Sequence, residues 1–303
     1  MSPGDAPLST AYRVHLGGFE FRLAADTLPL RPPPEATYRA FLAPDPFQPA
    51  PQVIAVRFTS PSRVAAEGRL LFASDAAWSL LADGDERSFV MSDPQADEPL
   101  YAARFRPGRP EVEVACSQRL VASEGSSAFV RSPFHYPLDQ ILVMYLLGAS
   151  GLVLHAAGVV RRGEAVAFLG VSGAGKSTIS ALLGRGGWER LSDDRVILRR
   201  TDGQPRMWGT PWPGEAAVAR NAWAPAHRLF FLEQGAADEA RPISAGQAFP
   251  RLARTVSVPW FDPDYLGDGL AACDWVLRTL PASVFSFRPT AEAAEALERI
   301  LDS

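Results

Sequence analysis

Lysine is almost absent from this sequence. Of its 30 basic residues only Lys176 is a lysine, and the others are arginines. Arginine therefore serves the surface and ion-pairing positions, and a compact ammonium is kept only where a bulky planar guanidinium would not fit. This distribution indicates that Lys176 occupies a confined site in which an ammonium is needed.

The sequence also contains only two cysteines and has no excess of positive charge. The two cysteines, Cys116 and Cys273, provide neither a disulfide framework nor a metal-binding spacing, which favours a reducing cytoplasm. The first thirty residues contain acidic side chains and no continuous apolar core, so we expect no signal peptide. The net charge of −4 argues against a nucleic-acid or anionic-membrane partner. We expect a cytoplasmic protein and leave homo-oligomerisation open.

One apolar segment is long enough to be mistaken for a membrane span. Residues 141–160 carry no formal charge, and a segment of this length can cross a bilayer. Gly148-Ala149-Ser150-Gly151 divides the segment, however, and His155 would lie in hydrocarbon without a partner. The pattern predicts a buried helix over residues 138–147 and a buried strand over residues 152–160.

The most specific motif is a glycine-rich loop between a strand and a helix. The apolar run 165–169 leads into Gly170-Val171-Ser172-Gly173-Ala174-Gly175-Lys176-Ser177, and the helix-forming run 178–183 follows. This is the Walker A pattern of a phosphate-binding loop, in which glycines let backbone N–H groups point at phosphate oxygens. Lys176 would reach the β- and γ-phosphates, and the Ser177 hydroxyl would bind Mg²⁺. The residues predicted to bind the nucleotide are Gly170, Ser172, Gly173, Ala174, Gly175, Lys176, Ser177 and Thr178.

A pair of adjacent carboxylates, Asp193 and Asp194, follows Lys176 by 17 and 18 positions at a predicted strand edge. Mg·ATP needs carboxylates near Ser177, and a transfer reaction needs a base for the accepting hydroxyl. Two neighbouring aspartates at the same edge supply both. An ordinary polar turn is the alternative interpretation, and the short distance from the loop favours the functional one.

The two halves of the chain differ in their patterns. Short strands alternate apolar and polar residues at regular spacing through the first half, beginning with a hairpin around Gly17-Gly18. The second half alternates strands and helices, as an α/β nucleotide-binding domain does. We therefore predict an α/β protein (α+β overall), with a mostly β domain over residues 1–130 and a P-loop domain over residues 131–303.

Three segments together resemble one enzyme family. Leu154-His155-Ala156-Ala157-Gly158-Val159-Val160, the glycine-rich loop, and Leu191-Ser192-Asp193-Asp194-Arg195-Val196 look like the core of HPr kinase/phosphorylase, which is shared with ATP-dependent phosphoenolpyruvate carboxykinase. The resemblance is closest to the stand-alone HPr-kinase-like proteins of natural-product gene clusters. It implies a Ser/Thr kinase that uses ATP and Mg²⁺. It does not extend to HPr as substrate or to phosphorolysis, because the long signature of the bifunctional enzymes is absent.

The resemblance also implies residue roles. Asp193 would take the proton of the substrate hydroxyl, and Asp194 would assist the metal or Lys176, although the sequence leaves open which aspartate does which. His155 would orient Asp193 or the γ-phosphate.

Two further residues are candidates from their positions. Glu215, in the Pro/Trp/Gly loop 208–215 that we expect to be exposed, is a candidate second metal ligand. Charge on the moving phosphoryl group calls for an arginine, for which Arg220, Arg251 and Arg254 are candidates, and we select Arg254. The acceptor is a peptide or protein, with the β domain recognising it, or a small metabolite. A non-catalytic ATP-binding regulatory module is the third hypothesis.

Overall fold

The chain forms two compact units in this computed structural model, which describes residues 10–42, 52–75, 77–235 and 237–302. Among these residues the first unit extends to Leu146 and the second begins at Leu147. The division between the two units therefore differs from the expected boundary at residue 130. Residues 131–146, which include most of a helix, belong to the first unit.

The first unit is built mainly from two sheets. Its strands are β1 (Ala11–Leu16), β2 (Phe19–Ala25), β3 (Leu30–Arg31), β4 (Gln52–Thr59), β5 (Arg69–Ala73), β6 (Trp78–Asp83), β7 (Glu86–Met91), β8 (Tyr101–Phe105), β9 (Glu111–Cys116), β10 (Val121–Glu124) and β11 (Ser127–Arg131). Its helices are α1 (Ala36–Arg39) and α2 (Leu138–Leu147), the second of which ends where the second unit begins.

The larger sheet has the strand order β1-β2-β4-β9-β8-β7-β6-β5, and the smaller one has the order β10-β11-β3. The predicted hairpin around Gly17-Gly18 is confirmed as β1 and β2. The pairs β2–β4 and β4–β9 are parallel. Parallel pairs need a crossover between their strands, and between β4 and β9 the chain forms the four strands β5–β8.

The second unit contains nine described strands and four described α-helices. The strands are β12 (Gly151–Arg161), β13 (Glu164–Leu169), β14 (Glu189–Ser192), β15 (Arg195–Thr201), β16 (Gln204–Trp208), β17 (Trp223–Gln234), β18 (Glu239–Pro242), β19 (Val256–Ser257) and β20 (Ala282–Phe287). The helices are α3 (Lys176–Arg185), α4 (Ala245–Leu252), α5 (Leu266–Thr279) and α6 (Ala291–Asp302).

Five strands of the second unit are paired in a closed circuit. The pairs β12–β13, β13–β17, β17–β16 and β16–β15 are closed by β15–β12, and β20 extends the circuit beside β17. Alternate residues of β13 face two different cores. Ala167 and Leu169 pack in the core that includes residues of α4 and α5, whereas Val166 and Phe168 pack in the core with α3 and α6.

The mixed α/β class is confirmed, but the regular alternation predicted for the second half is wrong. Five strands, β14 to β18, separate α3 from α4. Several of their pairings are antiparallel and need no crossover helix. The buried helix and strand predicted over residues 138–160 are α2 and β12. Within the described residues, no helix is long and apolar enough to cross a membrane.

Candidate functional site

The predicted motifs meet at two neighbouring residues of β12. His155 pairs with Arg195, the first residue of β15, and Ala156 pairs with Leu169, the last residue of β13. The glycine-rich loop follows Leu169 and the aspartate pair precedes Arg195, so both segments leave the sheets at one place. A third segment arrives there as well, because the His155 amide donates to the carbonyl oxygen of Thr255 at 2.6 Å.

The glycine loop, residues 170–175, packs too closely for side chains at two positions. A Cβ on Gly170 would lie 2.5 Å from the Cβ of Ala174, and one on Gly175 would lie 2.7 Å from the ring of Phe287. Gly175 also has φ of 99° and is the N-cap of α3. The loop can turn tightly onto the helix because these positions carry no side chain.

Lys176 is the buried residue of the first turn of α3, with 7% of its surface exposed. Its Nζ donates to the carbonyl oxygens of Gly170 at 2.9 Å and Val171 at 3.4 Å. Burial lowers the pKa of this ammonium, and Arg195 lowers it further, whereas Asp194 opposes the shift. The ammonium is thus held against the loop backbone, within electrostatic range of one of the two aspartates.

The other predicted nucleotide-binding side chains line the same turn. Ser172, Ser177 and Thr178 are exposed, and Ala174 is half-buried. The loop is also held from outside, since Gln234 Nε2 donates to the carbonyl oxygen of Gly173 at 3.3 Å. The hydroxyls therefore face solvent at the amino terminus of α3, where unpaired N–H groups favour an anion.

Asp194 is a half-buried carboxylate that is hydrogen-bonded to two side chains, an imidazole and a guanidinium group. Its Oδ1 lies 2.8 Å from His155 Nε2, and its Oδ2 accepts from Arg195 Nη1 at 2.8 Å. Burial alone would raise the pKa of Asp194, but the hydrogen bond from His155 and the charges of Arg195, His155 and Lys176 outweigh it, so the pKa is lowered. The carboxylate is ionised at neutral pH.

Asp193 has a different environment from its neighbour. It is 1% exposed and accepts backbone N–H groups from Gly214 at 3.0 Å, Ala216 at 2.8 Å and Val218 at 3.2 Å. Three fixed amide donors occupy both of its oxygens. The resemblance gave Asp193 as the base and left the division of roles open. In the structure Asp194 is the aspartate that contacts His155, and Asp193 anchors the segment 214–218.

The Pro/Trp/Gly loop is more buried than the sequence suggested. Trp208 and Trp212 are 1% and 3% exposed, and Thr210 Oγ1 donates to the carbonyl oxygen of Arg195 at 2.6 Å. The expectation of an exposed aromatic loop is therefore wrong, because both tryptophans are used in packing. Glu215 is exposed, and no described hydrogen bond or ion pair joins it to Ser177 or Asp194.

Arg254 directly precedes Thr255, whose carbonyl oxygen accepts the hydrogen bond from the His155 amide. Its side chain is exposed and lines a surface pocket with Arg241, Arg251 and the polar residue Gln247. Arg251 is paired with Glu233 at 2.8 Å. The pocket is thus rich in guanidinium groups that favour an anion.

No group of three or more His, Cys, Asp or Glu side chains among the described residues is arranged to hold a metal ion. Mg²⁺ usually retains waters and is bound through one or two protein groups together with substrate phosphates. A hydroxyl such as that of Ser177 and a carboxylate such as that of Asp194 are groups that can bind Mg²⁺ in this way.

Three residues that contact the aspartate pair or the glycine loop were not assigned roles from the sequence, namely Arg195, Gln234 and Phe287. Arg195 stood within the quoted motif, and its charge next to a carboxylate was the available signal. Gln234 and Phe287 have no local signal, because they reach the glycine loop only through the parallel pairing of β13, β17 and β20.

Comparisons with known proteins give distant structural likenesses. No protein-family model matches the chain, and no curated protein matches its sequence. Among solved structures, the HPr(Ser) kinase/phosphatase from Coxiella burnetii is similar at 13% sequence identity and a TM-score of 0.29, over 50% of this chain and 93% of that one.

Proposed function

We propose that this protein is an ATP-dependent, Mg²⁺-requiring kinase that transfers the γ-phosphoryl group to a serine or threonine hydroxyl of a peptide or protein. The observation that carries the proposal is the carboxylate of Asp194, which is hydrogen-bonded to His155 and lies within electrostatic range of the buried Lys176. Transfer needs a base that is oriented beside the phosphates, which a module that only binds ATP does not need, and His155 orients this carboxylate.

The glycine loop and the first turn of α3 fit a triphosphate. Backbone N–H groups of residues 170–176, the Lys176 ammonium and the helix terminus would hold the phosphates. Ser177 and Asp194 would hold Mg²⁺, which when bound neutralises charge on the β- and γ-oxygens. Glu215 is a weaker candidate ligand, since none of the described contacts links it to this turn. The P-loop architecture of the HPr kinase and carboxykinase type is part of this proposal.

Asp194 would act as the base. The acceptor oxygen attacks the γ-phosphorus, the bond to the β–γ bridging oxygen breaks, ADP leaves, and the hydroxyl proton passes to a carboxylate oxygen of Asp194. His155 Nε2 holds that carboxylate in position. The lowered pKa of Asp194 suits a loose transition state, because the proton is transferred late and a strong base is not required.

Arg254 would contribute charge to the transition state from its place beside Thr255, and the first unit would recognise the acceptor. A peptide or protein acceptor is supported by the resemblance of the motifs and by the size of the first unit, which extends through Leu146.

The test is mass spectrometry of the full-length protein incubated with Mg·ATP and a degenerate library of serine- and threonine-containing peptides. We expect a mass increase of one phosphoryl group on a subset of the peptides, and no increase with Lys176→Ala. The same mixture is also assayed with a panel of small alcohols and sugars.

Two results would contradict the proposal. Phosphorylation of small hydroxyl compounds in place of peptides would leave a metabolite kinase. Tight nucleotide binding with no transfer to any acceptor or to water would leave a regulatory module.

A further inference from the structure

A pocket of about 420 Å³ lies beside α4 in the second unit, and we call it the arginine pocket because three arginines line it. They are Arg241 on β18, Arg251 in the last turn of α4, and Arg254 just after that helix. The other lining residues are uncharged, namely Pro242, Ile243, Gln247 and Pro250. A pocket of this size can hold a side chain or a small ligand.

The arginine pocket has more positive charge than its paired carboxylate neutralises. Arg251 Nη2 lies 2.8 Å from a carboxylate oxygen of Glu233. Arg241 and Arg254 are exposed, and within the described part of the chain neither has an ion-pair or hydrogen-bond partner. Two guanidinium groups therefore line the pocket without a paired carboxylate. Each has a planar set of N–H donors that matches the two oxygens of a carboxylate, so the pocket favours an anionic group.

One set of contacts connects the arginine pocket to the proposed base. Arg254 is followed by Thr255, whose carbonyl oxygen accepts the His155 amide at 2.6 Å. The ring of His155 in turn lies 2.8 Å from Asp194 Oδ1. A lining residue of the pocket is therefore next in sequence to a residue that contacts the histidine holding the base.

A second set of contacts connects the pocket to the glycine loop. Glu233, the partner of Arg251, lies near the carboxyl end of β17. The next residue, Gln234, donates to the carbonyl oxygen of Gly173 at 3.3 Å. The pocket thus adjoins both parts of the proposed site, the base and the phosphate-binding loop.

The helix beside the pocket and the helix of the glycine loop lie on opposite faces of β13. α3 packs in the core with Val166 and Phe168, whereas α4 packs in the core with Ala167 and Leu169. In phosphoryl transfer the attacking and leaving oxygens lie roughly in line through phosphorus, so the acceptor approaches from the side opposite the nucleotide. The face that carries α4 is therefore the one from which an acceptor would arrive.

The strand pairings place Arg241 level with the end of β13, where the glycine loop begins. Across β18, β20, β17, β13 and β12 the successive partners are Arg241, Val284, Phe231, Leu169 and Ala156. Four steps of about 4.8 Å put Arg241 at most about 19 Å from Ala156, a distance that an extended peptide covers in roughly six residues.

We propose that the arginine pocket binds an acidic side chain of the acceptor peptide, within about six positions of the phosphorylated residue. The inference rests on the proposed kinase function and adds the charge of the acceptor. Residues beside the reacting hydroxyl must lie against the second unit, because Asp194 belongs to it, whatever part of the acceptor the first unit recognises.

The test uses peptides with a central serine among alanines and glycines, and with a pair of glutamates, glutamines or lysines at one offset from the serine. Initial rates with the full-length protein and Mg·ATP give kcat/KM for each peptide. At one offset within six positions we expect the glutamate pair to raise kcat/KM at least about tenfold over the glutamine pair, chiefly through KM. The lysine pair should lower it.

Variants of one arginine test whether this pocket is the source of the preference. Arg241→Glu should make the lysine peptide the better acceptor at the same offset, and Arg241→Gln should remove the preference. The melting temperature should change little, because the side chain is exposed. Arg299→Glu is the matched control, since it changes the charge equally at an exposed arginine of α6 outside the lining, and it should keep the preference for glutamate.

A binding measurement separates this inference from the proposed function. The labelled glutamate peptide, with its serine replaced by alanine, is titrated without nucleotide and followed by fluorescence anisotropy. We expect binding that weakens with added salt and is about tenfold weaker in Arg241→Glu. If this result is obtained while no peptide is phosphorylated, the kinase proposal fails and the assignment of the pocket to an acidic peptide is supported.

Three outcomes would overturn the assignment of the pocket. The first is equal kcat/KM for the glutamate, glutamine and lysine peptides at every offset, and the second is a glutamate preference that is unchanged in Arg241→Glu. In both, the protein still transfers phosphate and the proposed function stands. The third is displacement of the labelled peptide by inorganic phosphate at lower concentrations than by the unlabelled peptide, which would assign the pocket to a free anion.

Discussion

At the scale of single residues, two adjacent carboxylates have opposite surroundings. Asp193 accepts three backbone amides, whereas Asp194 meets two side chains and lies near Lys176. The identity of Lys176 as the special cation could be predicted, because the local pattern and the lack of other lysines both indicate it. The division of roles between the aspartates could not, since it depends on amides that arrive from residues 214–218.

Asparagine substitutions should separate these roles. Asp194→Asn should lower phosphoryl transfer by roughly 10²–10⁴, with a smaller loss of stability than Asp193→Asn. Asp193→Asn should instead lower the free energy of unfolding by about 1–3 kcal/mol, because the amide nitrogen of asparagine cannot accept an N–H group. Transfer rates and thermal unfolding of both variants provide the comparison. Equal losses of activity at unchanged stability would contradict the assignment.

Asp194 should also contribute to the pH dependence of stability. Its pKa is lower in the folded protein than its ordinary value, so its ionised form stabilises the fold at pH above about 4 and this contribution is lost as the pH falls through the lowered value. Urea unfolding at a series of pH values should show Asp194→Asn less stable near neutrality and converging with the unaltered protein in acid. The exposed Asp75→Asn is the control. A difference that is constant with pH would contradict the linkage.

At the scale of elements, the conformation of the glycine loop depends on close packing between its own residues. Strand, loop and helix could be predicted in order, because turn residues and apolar periods are local signals. The parallel pairing of β13 with β17 could not, since it joins residues about sixty positions apart. That pairing brings Gln234 to the loop.

A paired substitution tests the packing. Gly170→Ala would place two Cβ atoms 2.5 Å apart and should weaken ADP binding by at least about tenfold, because the loop must open to relieve the contact. Gly170→Ala combined with Ala174→Gly removes the clash and should recover most of the affinity. Isothermal titration with Mg·ADP measures both. No recovery in the double variant would show that Gly170 is needed for another reason.

At the scale of the whole molecule, the two units make different contributions to the proposals. The motifs predicted to bind nucleotide lie between residues 155 and 254, whereas the first unit contains the parallel pairs β2–β4 and β4–β9. A change in pattern along the chain was the sequence signal for two parts. The parallel pairs had no local signal, because their strands are far apart in the sequence.

Hydrogen exchange should register nucleotide binding at the glycine loop. Mg·ADP should increase the protection of amides in residues 165–180, since bound ligands suppress local opening. Lys176→Ala should lose this effect. Protection by Mg·ADP that is confined to the first unit would contradict the assignment of the glycine loop.

The pairing of two consecutive residues of β12 has one more consequence, because it determines where the chain can tolerate inserted residues. The site forms because consecutive residues, His155 and Ala156, select the partners Arg195 and Leu169, and it does not depend on the number of residues between those partners. Extra residues inserted at the exposed turn between Gly186 and Gly187 should therefore leave turnover intact. A single residue inserted after His155 should abolish it, because every subsequent side chain of the strand would change faces.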